Sequence, residues 1–189
     1  MSEIKSVCVY CGSGPGKDPV YAGAAAEFGR ALAAAGVRLV YGGGGMGLMG
    51  ITAGAVLENG GEVTGIIPDF LMKREMMLED VQEVLVTSDM HERKMLMFER
   101  SDAFVALPGG IGTLEELIEV STWRQLGRHT KPIAIANIAG FWDPLLDLLN
   151  HMREQEFIRP HLEVNLDVVN RAEDILPTLQ ARAGSITGV

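Results

Sequence analysis

Three glycine-rich stretches each follow a short apolar run, and this repetition limits the folds open to the chain more than any other feature. The glycine-rich stretches are 12–16, 42–50 and 109–112, and the apolar runs before them are 4–10, 37–41 and 103–107. Runs of this length and content are typical of buried strands. Apolar residues recur at helical spacing after each stretch, so the chain alternates between strand and helix.

Four more apolar runs extend this alternation along the chain. They predict strands over 62–67, 81–86, 132–136 and 166–169, with helices over 20–35, 90–100, 114–126, 141–157 and 172–181. This pattern predicts a single Rossmann-like α/β domain spanning 1–189, with a doubly wound, mainly parallel sheet and helices on both faces. In such sheets ligands bind at the carboxyl ends of the strands, which is where all three glycine loops would open.

Composition excludes several classes of function. A formal net charge of −9 argues against nucleic-acid binding, which needs a basic surface. The sequence has no run of about 18 apolar residues, so we expect no membrane span. The first residues lack the basic and apolar regions of a signal peptide, which predicts a cytoplasmic protein.

The two cysteines, Cys8 and Cys11, form a C-x-x-C inside the first predicted strand. An offset of three places their side chains on opposite faces of a strand, so they cannot act together. We therefore expect structural cysteines. We expect no metal site, because two thiolates would lack partner ligands.

The first two glycine loops carry weak motifs. The first resembles a phosphate-binding P-loop only in part, because Lys17 is followed by Asp18 where Ser or Thr is needed. The second contains Gly45-x-Gly47-x-x-Gly50, which matches a dinucleotide fingerprint, and Asp69 could serve as its ribose-binding acid. Three interpretations stay open: an NAD site, a cradle for a phosphate or ribose, or glycines needed only for tight packing.

The third loop, Pro108 to Gly112, should expose backbone N–H groups that attract an anion at the start of a helix. Glu115 and Glu116 would place two acids in that first turn, beside the anion site. Thr113-x-x-Glu116 also fits a capping box, in which the glutamate only stabilises the helix. Arg93 could instead pair with Glu116 at a ligand, although Arg93 and Lys94 together are also typical of a solvated helix face.

Several motifs together resemble the Lonely Guy (LOG) family of cytokinin riboside 5′-monophosphate phosphoribohydrolases, labelled "possible lysine decarboxylase" in older annotation. The resemblance covers most of the chain. Its motifs are Pro108-Gly109-Gly110-x-Gly112-Thr113-x-x-Glu116, Met90-His91-x-Arg93-Lys94, Cys11-Gly12-Ser13, Gly42-Gly43-Gly44, Gly47-Leu48-Met49-Gly50 and Trp123-x-Gln125-Leu126-Gly127.

The resemblance implies hydrolysis of the N-glycosidic bond of a nucleoside 5′-monophosphate such as AMP, giving free base and ribose 5-phosphate. It implies Arg93 and Glu116 as the catalytic pair, no metal or organic cofactor, and a homodimer. The implied nucleotide-binding residues are Glu75, Arg93, Lys94, Gly110, Ile111, Gly112, Thr113, Leu114, Glu115, Glu116 and Thr122.

The chain departs from the family pattern near Glu75. The sequence reads Lys73-Arg74-Glu75-Met76 where the family more often has Pro-Arg-Glu, and positions 77–80 are unlike the plant members. We expect base preference to depend on this segment. The alternatives are a broader purine or pyrimidine nucleotide nucleosidase and a non-catalytic carrier of a nucleotide or of molybdenum cofactor. Nothing in the sequence suggests the lysine Schiff base of a decarboxylase.

Overall fold

A computed structural model describes residues 3–72, 76, 78, 80–159 and 166–186. Within these ranges the fold is a seven-stranded sheet in which every neighbouring pair is parallel. The strand order is β4-β3-β2-β1-β5-β6-β7. The strands are β1 Ser6–Tyr10, β2 Arg38–Tyr41, β3 Val63–Pro68, β4 Glu83–Thr87, β5 Ala103–Ala106, β6 Ile133–Ala136 and β7 Asp167–Val169.

Six α-helices in the described part of the chain connect and follow the strands, which confirms the predicted alternation. They are α1 Pro19–Ala34, α2 Gly47–Glu58, α3 Met90–Glu99, α4 Ile111–Gln125, α5 Asp143–Glu154 and α6 Ile175–Ile186. Among the same described residues there are three short 3₁₀ helices, at Asp69–Leu71, Ile138–Gly140 and Ala172–Asp174.

Helices cover both faces of the sheet and create two hydrophobic cores. One core joins β1 and β2 to α1, α2 and α6, and it contains Cys11. The other lies between the sheet and α3, α4 and α5, and it contains Cys8. Both cysteines are buried and free. The structure therefore confirms that they lie on opposite faces and serve as packing residues.

Aspartate side chains cap α1 and α3. Asp18 caps α1 by accepting from the Val20 N–H at 2.9 Å. Asp89 caps α3 by accepting from the His91 and Glu92 N–H groups at 2.8 and 2.9 Å. Because a cap fixes where a helix begins, Asp89 also sets the position of Arg93 in the first turns of α3.

The strand order reverses between β1 and β5, which are neighbours in the sheet. The loops after these two strands therefore diverge to opposite sides and leave a crevice at the carboxyl edge. None of the described helices has the length and apolar character that crossing a membrane requires.

Candidate active site

The three glycine loops meet at the carboxyl edge through their backbones. The Gly12 N–H donates to the Pro108 carbonyl at 3.1 Å, and the Gly12 carbonyl accepts from the N–H groups of Leu48 and Met49 at 3.0 and 3.3 Å. These bonds join the loops after β1, β2 and β5. The predicted convergence of the loops is confirmed.

Close backbone contacts explain two glycines of the second loop. Gly47 has a φ of +59°, and a Cβ there would lie 2.3 Å from the Ser13 carbonyl group. A Cβ on Gly45 would lie 1.9 Å from the Met76 carbonyl oxygen. Tight packing therefore accounts for this part of the dinucleotide fingerprint without a bound ligand.

Helix α4 begins at Ile111 with Gly110 as its N-cap. Thr113 is thus the third helical residue, so the capping-box interpretation of Thr113 and Glu116 is wrong. The expected placement of Glu115 and Glu116 in the first turn is also wrong, because that turn contains no acid. Since Gly110 has no side chain, the first N–H groups of α4 remain open to an anion.

Arg93 is buried rather than solvated, with 8% of its surface exposed. Its Nε donates to the Ile66 carbonyl and its Nη2 donates to the Gly42 carbonyl, both at 3.2 Å. Gly42 must be glycine for this arrangement, because a Cβ there would lie 1.9 Å from Arg93 Nη2. The carboxyl ends of β2 and β3 therefore hold the guanidinium in place.

Glu116 faces Arg93. Its Oε1 lies 4.0 Å from Arg93 Nη2, and the two side chains are only 11% and 10% exposed. Burial raises the pKa of Glu116 to about 7, against the opposing effect of the Arg93 charge. A carboxyl with this pKa can gain or lose a proton near neutral pH, which suits acid–base chemistry.

Lys94, the residue after Arg93, points to two other acids of α4. Its Nζ donates to Glu115 Oε1 at 2.6 Å and to Glu119 Oε1 at 3.1 Å. Burial opposes the charged form of Lys94, but the hydrogen bonds to Glu115 and Glu119 outweigh it and raise the lysine pKa. Glu119 was not among the residues expected at the site, although its spacing of four from Glu115 could have indicated it.

A cavity of about 300 Å³ opens beside the third loop, where the strand order reverses between β1 and β5. It has room for a group of the size of a sugar or a base. Its walls combine glycine-loop backbone with two aromatic side chains: residues 12–16, Tyr21, Leu48, 108–110 and Phe141. Tyr21 and Phe141 are missing from the predicted site because they become neighbours only when α1 and the β6–α5 connection pack together.

The structure brings together most of the predicted site residues and leaves two apart. Residues 110–116 lie in one turn and a half of α4, with Arg93 and Lys94 opposite. Thr122 lies further along α4, exposed, with its hydroxyl donating to the Ile118 carbonyl at 2.7 Å. Glu75 lies outside the described residues, as does most of segment 73–79. The described residues contain no group of three or more His, Cys, Asp or Glu side chains arranged for a metal ion.

Comparison with known sequences gives a consistent family. The family model described as "Possible lysine decarboxylase" matches residues 49–179, more than half of the chain. The chain is 52% identical to probable cytokinin riboside 5′-monophosphate phosphoribohydrolase LOGL2 of Oryza sativa subsp. japonica. That alignment covers 85% of this chain and 66% of the relative, just under two thirds of the relative's length. It is 46% identical to cytokinin riboside 5′-monophosphate phosphoribohydrolase LOG1 of Arabidopsis thaliana, over 93% of this chain and 86% of that one.

Solved structures share the fold. The molybdenum cofactor binding protein of Rippkaea orientalis superposes with a TM-score of 0.71 at 20% identity, over 96% of this chain and 98% of that one. The Moco carrier protein of Chlamydomonas reinhardtii gives 0.71 at 17% identity, over 97% and 99%. At these identities the likeness concerns the fold alone.

Proposed function

We infer the activity of this chain from its family, because it belongs to the LOG family of cytokinin riboside 5′-monophosphate phosphoribohydrolases. We propose that it hydrolyses the N-glycosidic bond of a nucleoside 5′-monophosphate, releasing the free base and ribose 5-phosphate. The curated relatives carry this activity in their names, whereas the decarboxylase description of the family model is an older label.

One observation carries the proposal. A buried carboxyl, Glu116, lies 4.0 Å from a buried guanidinium, Arg93, a turn and a half along a helix whose first N–H groups are open to an anion. A nucleoside monophosphate presents an anionic 5′-phosphate a few bonds away from the anomeric carbon. The site therefore offers an anion-binding end for the 5′-phosphate and an acid–base group for the anomeric carbon.

The phosphate would lie against the N–H groups of Ile111, Gly112 and Thr113. These donors are held by the helix and need no rearrangement on binding. They attract phosphate locally, against the net charge of −9 of the whole chain. Because the donors belong to the backbone, this part of the site does not depend on particular side chains.

Cleavage of the glycosidic bond builds positive charge at the anomeric carbon, as in glycoside hydrolysis. In the proposed mechanism the Glu116 carboxylate stabilises that charge and takes a proton from the attacking water. The water oxygen bonds to the anomeric carbon while the bond to the base breaks. The electron pair leaves with the base, which then takes up a proton. Arg93, fixed by the Gly42 and Ile66 carbonyls, favours the carboxylate form of Glu116.

Base release from a panel of nucleoside monophosphates tests this function. We expect ribose 5-phosphate and free base from AMP or from its N6-isopentenyl derivative, and the ratio of the two rates measures base preference. Comparable rates with several purine and pyrimidine nucleotides would identify the broader nucleosidase. Tight binding of nucleotide without base release would identify a carrier and contradict the proposal.

We propose that the chain forms a homodimer through the outward face of α4. Ile111 and Leu126 are 84% and 76% exposed, and Ile118 lies between them on the same face. These apolar side chains recur about every two turns along one face, which suits contact with a second copy. Thr122 lies on this same face, so it would face the second copy across the proposed contact.

We propose that the protein acts in the cytoplasm. Nucleoside monophosphates are available there, and free cysteines such as Cys8 and Cys11 are typical of a reducing compartment.

A further inference from the structure

Lys94 connects the two helices that carry the proposed catalytic pair. Lys94 follows Arg93 on α3, and its partner Glu115 precedes Glu116 on α4. The Lys94 side chain is only 11% exposed, and its two hydrogen bonds to carboxylates measure 2.6 and 3.1 Å. The bond between Lys94 and Glu115 therefore joins the sequence neighbours of the two catalytic candidates.

The direct contact between Arg93 and Glu116 does not fix the spacing of these helices. At 4.0 Å it exceeds hydrogen-bond length, and Arg93 uses its own donors on the Ile66 and Gly42 carbonyls. The bonds from Lys94 are shorter and charge-assisted, and such bonds are the stronger class. The bonds from Lys94 therefore join α3 to α4 close to Glu116, where the Arg93 guanidinium makes no hydrogen bond to α4.

Lys94 also opposes the negative charge around Glu116. Glu115 and Glu119 both raise the pKa of Glu116, whereas Arg93 and Lys94 lower it. The described ionisable groups that interact with Glu116 are Arg93 and Lys94 of α3, Glu115 and Glu119 of α4, Cys8 and Tyr10 of β1, and Cys11 after β1. Only the two residues of α3 in this set are positive.

We propose that Lys94 is a positioning residue, which ties α3 to α4 through Glu115 and Glu119 and balances their charge beside Glu116. This role differs from that of a phosphate ligand. A phosphate that approached the Lys94 ammonium would also approach two carboxylates bonded to it. The inference rests on the proposed hydrolysis for its kinetic readout only.

The Lys94→Met variant tests the proposal, because methionine keeps much of the side-chain length and removes the charge. We expect kcat for base release to fall about tenfold or more, with KM for AMP within about twofold of the wild type. The pH at which kcat/KM rises should move upward, because Glu116 then faces Glu115 and Glu119 without Lys94. A ¹³C NMR titration of the Glu116 carboxyl in the free protein should show the same upward movement.

Matched variants separate charge balance from other effects. Adding Glu115→Gln and Glu119→Gln to Lys94→Met should return the Glu116 titration towards the wild-type position and recover part of kcat. Lys94→Arg should retain most of the activity. Arg100→Met, which removes a cation from the end of the same helix, should leave both readouts unchanged because Arg100 pairs with Glu83 of β4.

A phosphate-binding Lys94 would give a different result. KM for AMP would rise at least about tenfold in Lys94→Met with kcat little changed, and the added glutamine substitutions would not help. That outcome, or an unmoved Glu116 titration, would overturn the proposal. If Lys94→Met fails to fold, Lys94→Gln replaces it, and an unmoved Glu116 titration in that variant would equally overturn the proposal. Since the titration needs no turnover, it remains decisive even if the wild type releases no base.

Discussion

Glu116 is held in an environment that favours its neutral form, and the proposed reaction uses its charged form. Replacing it with glutamine keeps the size and removes the proton exchange. We expect base release by Glu116→Gln to fall at least about a hundredfold, which is the scale of general acid–base catalysis. Binding of AMP, measured by calorimetry, should persist because the phosphate donors are backbone groups of α4. Turnover close to wild type would remove Glu116 from the mechanism.

The same substitution should stabilise the fold at neutral pH. Because burial raises the Glu116 pKa from 4.5 to about 7, the folded protein holds this proton over a range where the unfolded chain has lost it. Stability therefore falls as pH rises from about 4.5 to about 7, and stays level above that for this group. A glutamine at position 116 does not titrate, so the variant loses no stability from this group as the pH rises. At pH 8 we expect Glu116→Gln to gain up to about 3 kcal/mol of unfolding free energy.

Urea unfolding at pH 4.5, 6 and 8 measures this difference. The advantage of Glu116→Gln should be small at the lowest pH and largest at the highest. An advantage independent of pH would mean that the carboxyl is not destabilised by burial.

At the scale of single elements, the turn after β2 and helix α3 depend on each other through Gly42 and Arg93. A methyl group in Gly42→Ala would overlap Arg93 Nη2, so the guanidinium must leave its place beside Glu116. We expect kcat/KM to fall more than about tenfold while the circular dichroism spectrum stays native. Retained activity would show that the position of Arg93 is not critical.

Gly54→Ala is the matched control for this substitution. Gly54 lies in α2, which follows the same loop, and a Cβ there has no neighbour within 4 Å. Alanine should leave activity unchanged and stabilise the helix by about 0.5–1 kcal/mol.

The sequence predicts the helices and strands well, because their periodicity is local. It predicts the start of α4 poorly. Thr113-x-x-Glu116 fits a capping box when Thr113 is the N-cap and the helix begins at Leu114, but this helix begins three residues earlier, at Ile111. The state of Arg93 was also open, because its partners at Gly42 and Ile66 are carbonyl groups far away in sequence. Every residue has a backbone carbonyl, so the sequence does not reveal which carbonyl accepts from Arg93.

At the scale of the whole molecule, a substitution on the outward face of α4 tests the proposed homodimer. Ile118→Asp places a charge in the middle of the proposed dimer contact. We expect light scattering to show a dimer for the wild type and a monomer for this variant at micromolar concentration.

The control for the dimer is Val20→Asp. Val20 is exposed to a similar extent, 41% against 38% for Ile118, but it lies on α1 at the other face of the sheet. This variant should remain dimeric. A monomeric wild type would contradict the proposed contact.

The backbone bonds between the glycine loops also determine when the site can exist during folding. The bond from Gly12 to Pro108 closes a loop of nearly a hundred residues, and it needs β1 and β5 already paired. Contacts between such distant parts of a chain form slowly, after local helices. A partly folded chain could hold native helices before the three glycine loops have joined to form the cavity. We therefore expect nucleotide binding to return on refolding only with the final, cooperative phase, and not with the early gain of helix.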